Sequence, residues 1–77
     1  MGKKVYKYDK VLCRHFGQKI YTLRTNCRIT QEELAFRANI SPSYMSAIER
    51  GITDTTISTA KRLSKALNTS ITELFEK

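Results

Sequence analysis

From residue 9 onward the apolar positions recur at helical intervals. Leu12, Phe16, Ile20, Leu23 and Cys27 follow one another at spacings of four, four, three and four, which marks one apolar stripe along a helix. A first helix is predicted from Asp9 to about Asn26, with Arg14, Lys19 and Arg24 off the stripe, where a solvated surface is expected. A second helix is predicted over 30–38, with Leu34, Ala35 and Ala38 inward. Thr30-Gln31-Glu32-Glu33 reads as a capping box: the Thr30 hydroxyl accepts from the Glu33 amide, and the Glu33 carboxylate reaches back to the Thr30 amide. Asn39 suits a left-handed stop. A third helix over 42–50 opens on Ser41 as N-cap and Pro42 at its first position, where the missing N–H costs nothing, and Gly51 ends it. After a turn at 53–55, Thr56 caps a fourth helix whose expected buried side is Ile57, Ala60, Leu63 and Leu67. Ser70 with Glu73 forms a second capping box and opens a short fifth helix carrying Ile71, Leu74 and Phe75. No segment reads as a strand. The predicted fold class is all-α, a compact five-helix bundle forming one domain over 9–77, with a basic arm at 1–8 and neither linker nor internal repeat.

The third helix has two unlike faces. On a wheel of 100° per residue, Met45 and Ile48 point one way, while Ser43, Ser46, Ala47 and Arg50 form a stripe on the other. Tyr44 flanks that stripe on one side and Glu49 on the other. A solvated helix face usually carries lysines and glutamates in pairs; this one has small uncharged groups, one arginine and no acid. Small side chains let a helix approach another surface closely. Alanine and the serine β-carbon can meet a thymine methyl, hydroxyls can bond to base edges and phosphates, and Arg50 can neutralise a phosphate or read a guanine. Those are the requirements of a helix entering a DNA major groove.

Charge narrows the partners. The 77 residues carry a net charge of +7, and residues 1–28 hold eight Lys or Arg against one acid, Asp9. A basic chain with a basic end points to a polyanion: nucleic acid, an anionic membrane or an acidic protein. No apolar run approaches the ~20 residues that span a bilayer, and the N-terminus has no signal-peptide core, so no membrane role and a soluble, cytoplasmic protein are expected. The arm, MGKKVYKY, has two readings, a solubilising tail or a basic segment that touches phosphates or packs on the body. A domain of this size buries only about 60–65% of its unfolded surface, and a second copy would add to that.

Catalysis finds no support in the pattern. Ser43 and Ser46 have no base at a workable spacing, His15 lies on another helix as a surface residue, and no Gly-x-Ser-x-Gly elbow exists. On one helix, Cys13 and Cys27 would stand about 21 Å apart, too far for a disulfide. They read as thiols, Cys13 as a packing residue and Cys27 near the core. No metal-ligand spacing occurs. The expectation is a non-enzyme with no cofactor, no metal and no evident small-molecule ligand.

The stretch TQEELAFRANISPSYMSAIERG resembles the helix-turn-helix of the Cro/cI, or Xre, family of phage and bacterial repressors. The likeness runs from Phe16 to Leu67, with FGQKIYTLR, TQEELA, YMSAIERG and AKRLSKAL in order and at the usual spacing. It implies a lambda repressor-like bundle in which helix two crosses the DNA backbone and helix three is the recognition helix. Gln31 would then contact a phosphate and brace helix three. Ser43, Tyr44, Ser46 and Ala47 fall where bases or adjoining phosphates are read, Ser41 and Pro42 lead that helix into the same DNA-binding set, and Arg50 falls on the backbone. For Tyr44, a partly buried flank position is the other reading. Arg24 and Glu49 match a pair that forms a partly buried salt bridge. The chain departs from the pattern after Gly51, where basic residues and a proline are replaced by Ile52, Thr53, Asp54 and Thr55. One charged phosphate clamp is missing, Asp54 is set to repel, Thr53 and Thr55 offer hydroxyls instead, and the basic N-terminal segment is the expected compensation. Family members usually bind as two-fold dimers, and Ile71, Leu74 and Phe75 divide between core and dimer interface.

The expected function is a sequence-specific transcriptional regulator that binds double-stranded DNA as a homodimer on an inverted repeat. Phage-type repressors, restriction-modification controllers and antitoxins of bacteria or phages share this format. The rival is a helix-turn-helix protein-interaction module docking an acidic partner, such as a toxin or a polymerase subunit.

Overall fold

The computed structural model describes residues 9–76. Four α-helices follow in order: α1 Lys10–Asn26, α2 Gln31–Ala38, α3 Pro42–Arg50 and α4 Ile57–Ala66. A 3-10 turn, Thr72–Phe75, closes the described chain. The fold is all-α as predicted, but the fifth helix is this turn. Its i→i+3 bonds, among them those from the Leu74 amide to Ile71 and from the Glu76 amide to Glu73, span too few residues for the i→i+4 ladder of an α-helix. The basic arm at 1–8 lies outside the described residues.

Each helix starts where a short side chain can satisfy an orphan amide. Asp9 accepts from Leu12, Thr30 from Glu33, Ser41 from Tyr44 and Thr56 from Thr59, at 3.0 to 3.1 Å. The Ser70 hydroxyl accepts likewise from the Glu73 amide at 3.2 Å. Neither capping box is reciprocal. The Glu33 carboxylate turns along its own helix to Arg37 at 2.8 Å, and that of Glu73 crosses to Lys19 at 3.6 Å. A cation within reach outcompetes a single backbone amide.

Two left-handed stops shape the region between α2 and α4. Asn39 (φ 59°, ψ 47°) ends α2 and Gly51 (φ 71°, ψ 25°) ends α3. In both, the following amide returns to a carbonyl five residues back, Ile40 to Ala35 at 2.9 Å and Ile52 to Ala47 at 3.2 Å, the bond of a Schellman motif. Asparagine suffices at 39 because its side chain is exposed. At 51 a Cβ would come within 2.7 Å of the Arg14 Cα, so only glycine fits there.

The core draws on every element. Phe16 and Ile20 of α1, Leu34, Ala35 and Ala38 of α2, Met45 and Ile48 of α3, Ala60 and Leu63 of α4, Leu67, and Leu74 of the 3-10 turn form one buried cluster. Helix α3 lies between α1 and α2, while α2 also packs on α4 and the turn on α1. Arg62 of α4 donates through Nε to the Ala38 carbonyl at 2.8 Å, satisfying a free carbonyl at the end of α2.

Three expected core positions are at the surface. Leu12 is 49% exposed and Ile57 83% exposed, and Cys27 is exposed as a free thiol. The buried side of α1 is Cys13, Phe16, Gly17 and Ile20, which leaves Leu12 at its edge, and Cys27 follows the last turn as the chain leaves the body. Ile57 opens α4 before that helix meets the core, and Thr59 and Ser64 are buried on α4 instead. Thr59 accepts from the Thr56 hydroxyl at 2.9 Å and Ser64 donates to the Lys61 carbonyl at 2.7 Å, so both are satisfied without water.

Candidate nucleic-acid interface

Helix α3 is held from behind by Met45 and Ile48, both fully buried. Its outward stripe is as drawn from the wheel: Ser43 and Arg50 are exposed, and Ser46 and Ala47 half-buried. No acid occurs in its first turn, so the partial positive charge of the helix N-terminus is not offset there. Ser41 and Pro42 are exposed at that end. The Ser41 hydroxyl accepts from the Tyr44 amide at 3.1 Å.

One flank of α3 is fastened by charge. The Arg24 Nε donates to Glu49 Oε2 at 2.6 Å and its Nη2 to Oε1 at 3.1 Å. A third donor, Nη1, reaches the Ile29 carbonyl at 2.9 Å, and Gln31 Nε2 donates to Glu49 Oε1 at 2.9 Å. Three segments, α1, the α1–α2 loop with the start of α2, and the end of α3, thus meet on one carboxylate. The pair is well sheltered, with side chains 12% and 4% exposed. The Glu49 hydrogen bond pushes the Arg24 pKa further up, against the lowering by burial. Arg24 therefore belongs to the interior of the site and not to a solvated face. The expected bracing by Gln31 is present, made through Glu49.

Helix α1 reaches α3 closely at Gly17. A Cβ there would meet the Glu49 carbonyl oxygen at 2.8 Å and the Ile48 carbonyl closer still. In the sequence, Gly17 figures only as part of the FGQKIYTLR motif, although a glycine inside a strong helical pattern is itself a signal of a packing role.

The opposite flank is tied by single hydrogen bonds from neutral donors, one of them to a carboxylate. Tyr44 is half-buried against the core, and its hydroxyl donates to the Asp54 carbonyl at 3.2 Å. The Asp54 carboxylate accepts from the Cys13 thiol at 3.4 Å. Burial, this bond and the negative charges of Asp54 and Asp9 push the Cys13 pKa up, so the thiol stays protonated as a donor. The carboxylate expected to repel phosphates is thereby held toward α1. Thr53 and Thr55 are half-buried in the same loop, and Ile52 is half-exposed. Asp54 as the common partner of Tyr44 and Cys13 has no signature in sequence, because those residues stand 10 and 41 positions away.

The three residues expected at a dimer contact separate. Leu74 is buried in the core, Ile71 packs at its edge, and Phe75 is 51% exposed, with its ring tilted on that of Phe16 at a centroid distance of 5.1 Å. Among the described residues, no group of His, Cys, Asp or Glu is arranged to hold a metal ion, and no helix is long and apolar enough to cross a membrane. His15 is exposed on α1.

A short turn between two packed helices, the second presenting a small-residue face with a braced end, is the arrangement of a helix-turn-helix. The helix-turn-helix family HTH_3 matches residues 20–74, and the chain belongs to it, as the Cro/cI-type motifs imply. The chain is 34% identical over 62 residues to the control protein C.BamHI of Bacillus amyloliquefaciens, covering 79% of this chain and 76% of that one. It is also 34% identical over 58 residues to the immunity repressor protein of Bacillus phage phi105, covering 75% of this chain but only 40% of the repressor. Among solved structures, the restriction-modification controller protein C.AhdI from Aeromonas hydrophila superposes with a TM-score of 0.80 at 35% identity, over 82% of this chain and 96% of that one. These relatives are named as regulators, and the class is one of DNA-binding transcriptional regulators.

Proposed function

We propose that this helix-turn-helix regulator acts as a homodimer on an inverted-repeat operator, with α3 in the major groove of each half-site. The observation that carries the reading is the pairing of a low-profile outward stripe on α3, Ser43, Ser46, Ala47 and Arg50, with a carboxylate-centred brace, Arg24, Glu49 and Gln31, that fixes how the stripe is presented. A reading face must be rigid to discriminate bases, and small enough to enter the groove.

In this reading Ser43, Ser46 and Ala47 meet base edges. Ser41, Pro42 and the first amides of α3 approach one phosphate strand together with Gln31, and Arg50 and Thr53 approach the other. Tyr44 lines the groove while holding the loop. Two such helices read successive half-sites about 34 Å apart. Phe75, with Ile71 beside it and Leu74 behind, supplies the apolar contact between copies. Regulation follows from occupying DNA in the cytoplasm, without catalysis or a cofactor. Likeness to C.BamHI and C.AhdI over most of the length of each supports a restriction-modification controller over an antitoxin.

Mobility shift of the protein against the DNA upstream of its own gene, with competitor DNA and a salt series, tests the reading. A specific complex that survives competitor is expected. Ser43→Ala and Ser46→Ala should each cost about 1–3 kcal/mol of preference for the site over scrambled DNA. Weak, sequence-indifferent binding would favour the acidic-partner alternative, and unchanged preference in both variants would remove α3 as the reading helix.

A further inference from the structure

Helix α3 ends against α1, where Gly51 is buried, while the loop that follows is open to solvent at Ile52 and Asp54. A Cβ on Gly51 would lie 2.7 Å from the Arg14 Cα, 3.1 Å from its nitrogen and 3.2 Å from the Cys13 carbonyl oxygen. The second turn of α1 is thus in backbone contact with the first residue of the α3–α4 loop. Arg14 is exposed and takes no part in the ion pairs among the described residues. The nearest acid in sequence along that loop, Asp54, has its carboxylate on the Cys13 thiol at 3.4 Å, and is not paired with Arg14.

DNA presents two rows of phosphates to a helix in its major groove, one on each strand, and contacts to both set the register. One row faces the start of α2 and α3. The other faces the α3–α4 loop, which holds Ile52, Thr53, Asp54 and Thr55 and therefore has no cation and one acid. We infer that Arg14 is a phosphate-binding residue: from the neighbouring helix it supplies, to the DNA strand beside this loop, the positive charge that residues 52–55 lack. The inference rests on the DNA-binding reading above. It assigns to α1 a direct part in the interface, beyond packing, and explains how a loop without lysine or arginine can border a polyanion.

The test compares the unaltered protein with Arg14→Ala, Arg14→Lys and, as a control for net charge alone, Lys65→Ala in the last turn of α4. Affinity for DNA is measured across a salt series, and melting temperature is recorded for each variant. One phosphate contact contributes about 0.9 to the slope of log K against log salt, so its loss should weaken binding about 8-fold near 0.1 M salt. Arg14→Ala should show this loss on operator and scrambled DNA alike, Arg14→Lys should keep most of the slope, and Lys65→Ala should leave it unchanged. Replacing single phosphates beside the loop with uncharged methylphosphonates should abolish the difference between the unaltered protein and Arg14→Ala at one position. An unchanged slope in Arg14→Ala, or an equal change in Lys65→Ala, overturns the inference while leaving the regulator reading intact. Absence of any DNA binding by the unaltered protein overturns both.

Discussion

The two flanks of α3 are fastened by different chemistry. On the side of α1 and α2, four hydrogen-bond donors of Arg24 and Gln31 converge on Glu49 and the Ile29 carbonyl, in a sheltered site. On the loop side, the Tyr44 hydroxyl meets one carbonyl at the surface and the buried Cys13 thiol meets the carboxylate of exposed Asp54. A buried ion pair has no good alternative to its partners, whereas a hydroxyl or carboxylate that reaches solvent can exchange a single partner for water. The first flank therefore sets the orientation of α3. In the proposed DNA-binding reading, the second is the side left to adjust to the DNA backbone.

The sharpest way to break this contrast is to remove the carboxylate. Glu49→Ala leaves the Arg24 guanidinium sheltered with only the Ile29 carbonyl, and a loss of about 3–5 kcal/mol is expected. That is a large part of the roughly 5–15 kcal/mol of a small domain, and urea denaturation would read it as a lower midpoint. The double variant Arg24→Met with Glu49→Leu should recover most of the loss. A single-variant cost below about 1 kcal/mol, the scale of an exposed pair, would show the flanks to be alike.

Tyr44→Phe probes the other side and should cost less. One partly solvated hydrogen bond contributes about 0.5–1.5 kcal/mol. The expected signature is local, faster amide exchange over residues 52–56 with exchange in the core of α1 and α2 unchanged. If the whole domain loosened together, the loop side would be as structural as the charged side.

The smallest effect is one of pH. Burial and Asp54 hold the Cys13 pKa above its ordinary value, so the folded protein keeps this proton where the unfolded chain has lost it. The stabilisation is complete below the unfolded value, about 8.5, and disappears as pH rises through the folded one. Between pH 8 and 10 the urea midpoint of the unaltered protein should fall further than that of Cys13→Ala. Parallel curves would mean that the thiol contributes nothing through its proton.

These flanks were not equally legible in the sequence. The Arg24–Glu49 pair came from likeness to a family and not from spacing, since 25 residues separate the two. Its burial, and the use of Glu49 by Gln31 as well, emerged only from the packing of three segments. The small-residue face of α3 was clear from the wheel, because it depends on one helix alone. On the loop side, nothing local reveals that the Asp54 carboxylate accepts from Cys13, 41 residues earlier.

What lay in the chain itself was the start of every α-helix, the stops of α2 and α3, and the division of α3 into two faces. Caps at Asp9, Thr30, Ser41 and Thr56 and left-handed stops at Asn39 and Gly51 act over three to five residues, so the neighbours that decide them are already adjacent. Tertiary structure decided which apolar residues find a cover. Leu12 and Ile57 have the right period and remain exposed, while Thr59 and Ser64 are buried, because periodicity gives a direction on a helix and not the presence of another element opposite. It also decided that Gly17 and Gly51 admit no side chain, for the atoms that would collide with a Cβ belong to other helices. For the same reason, only the packing of α1 beside the end of α3 could bring Arg14 to the start of the α3–α4 loop.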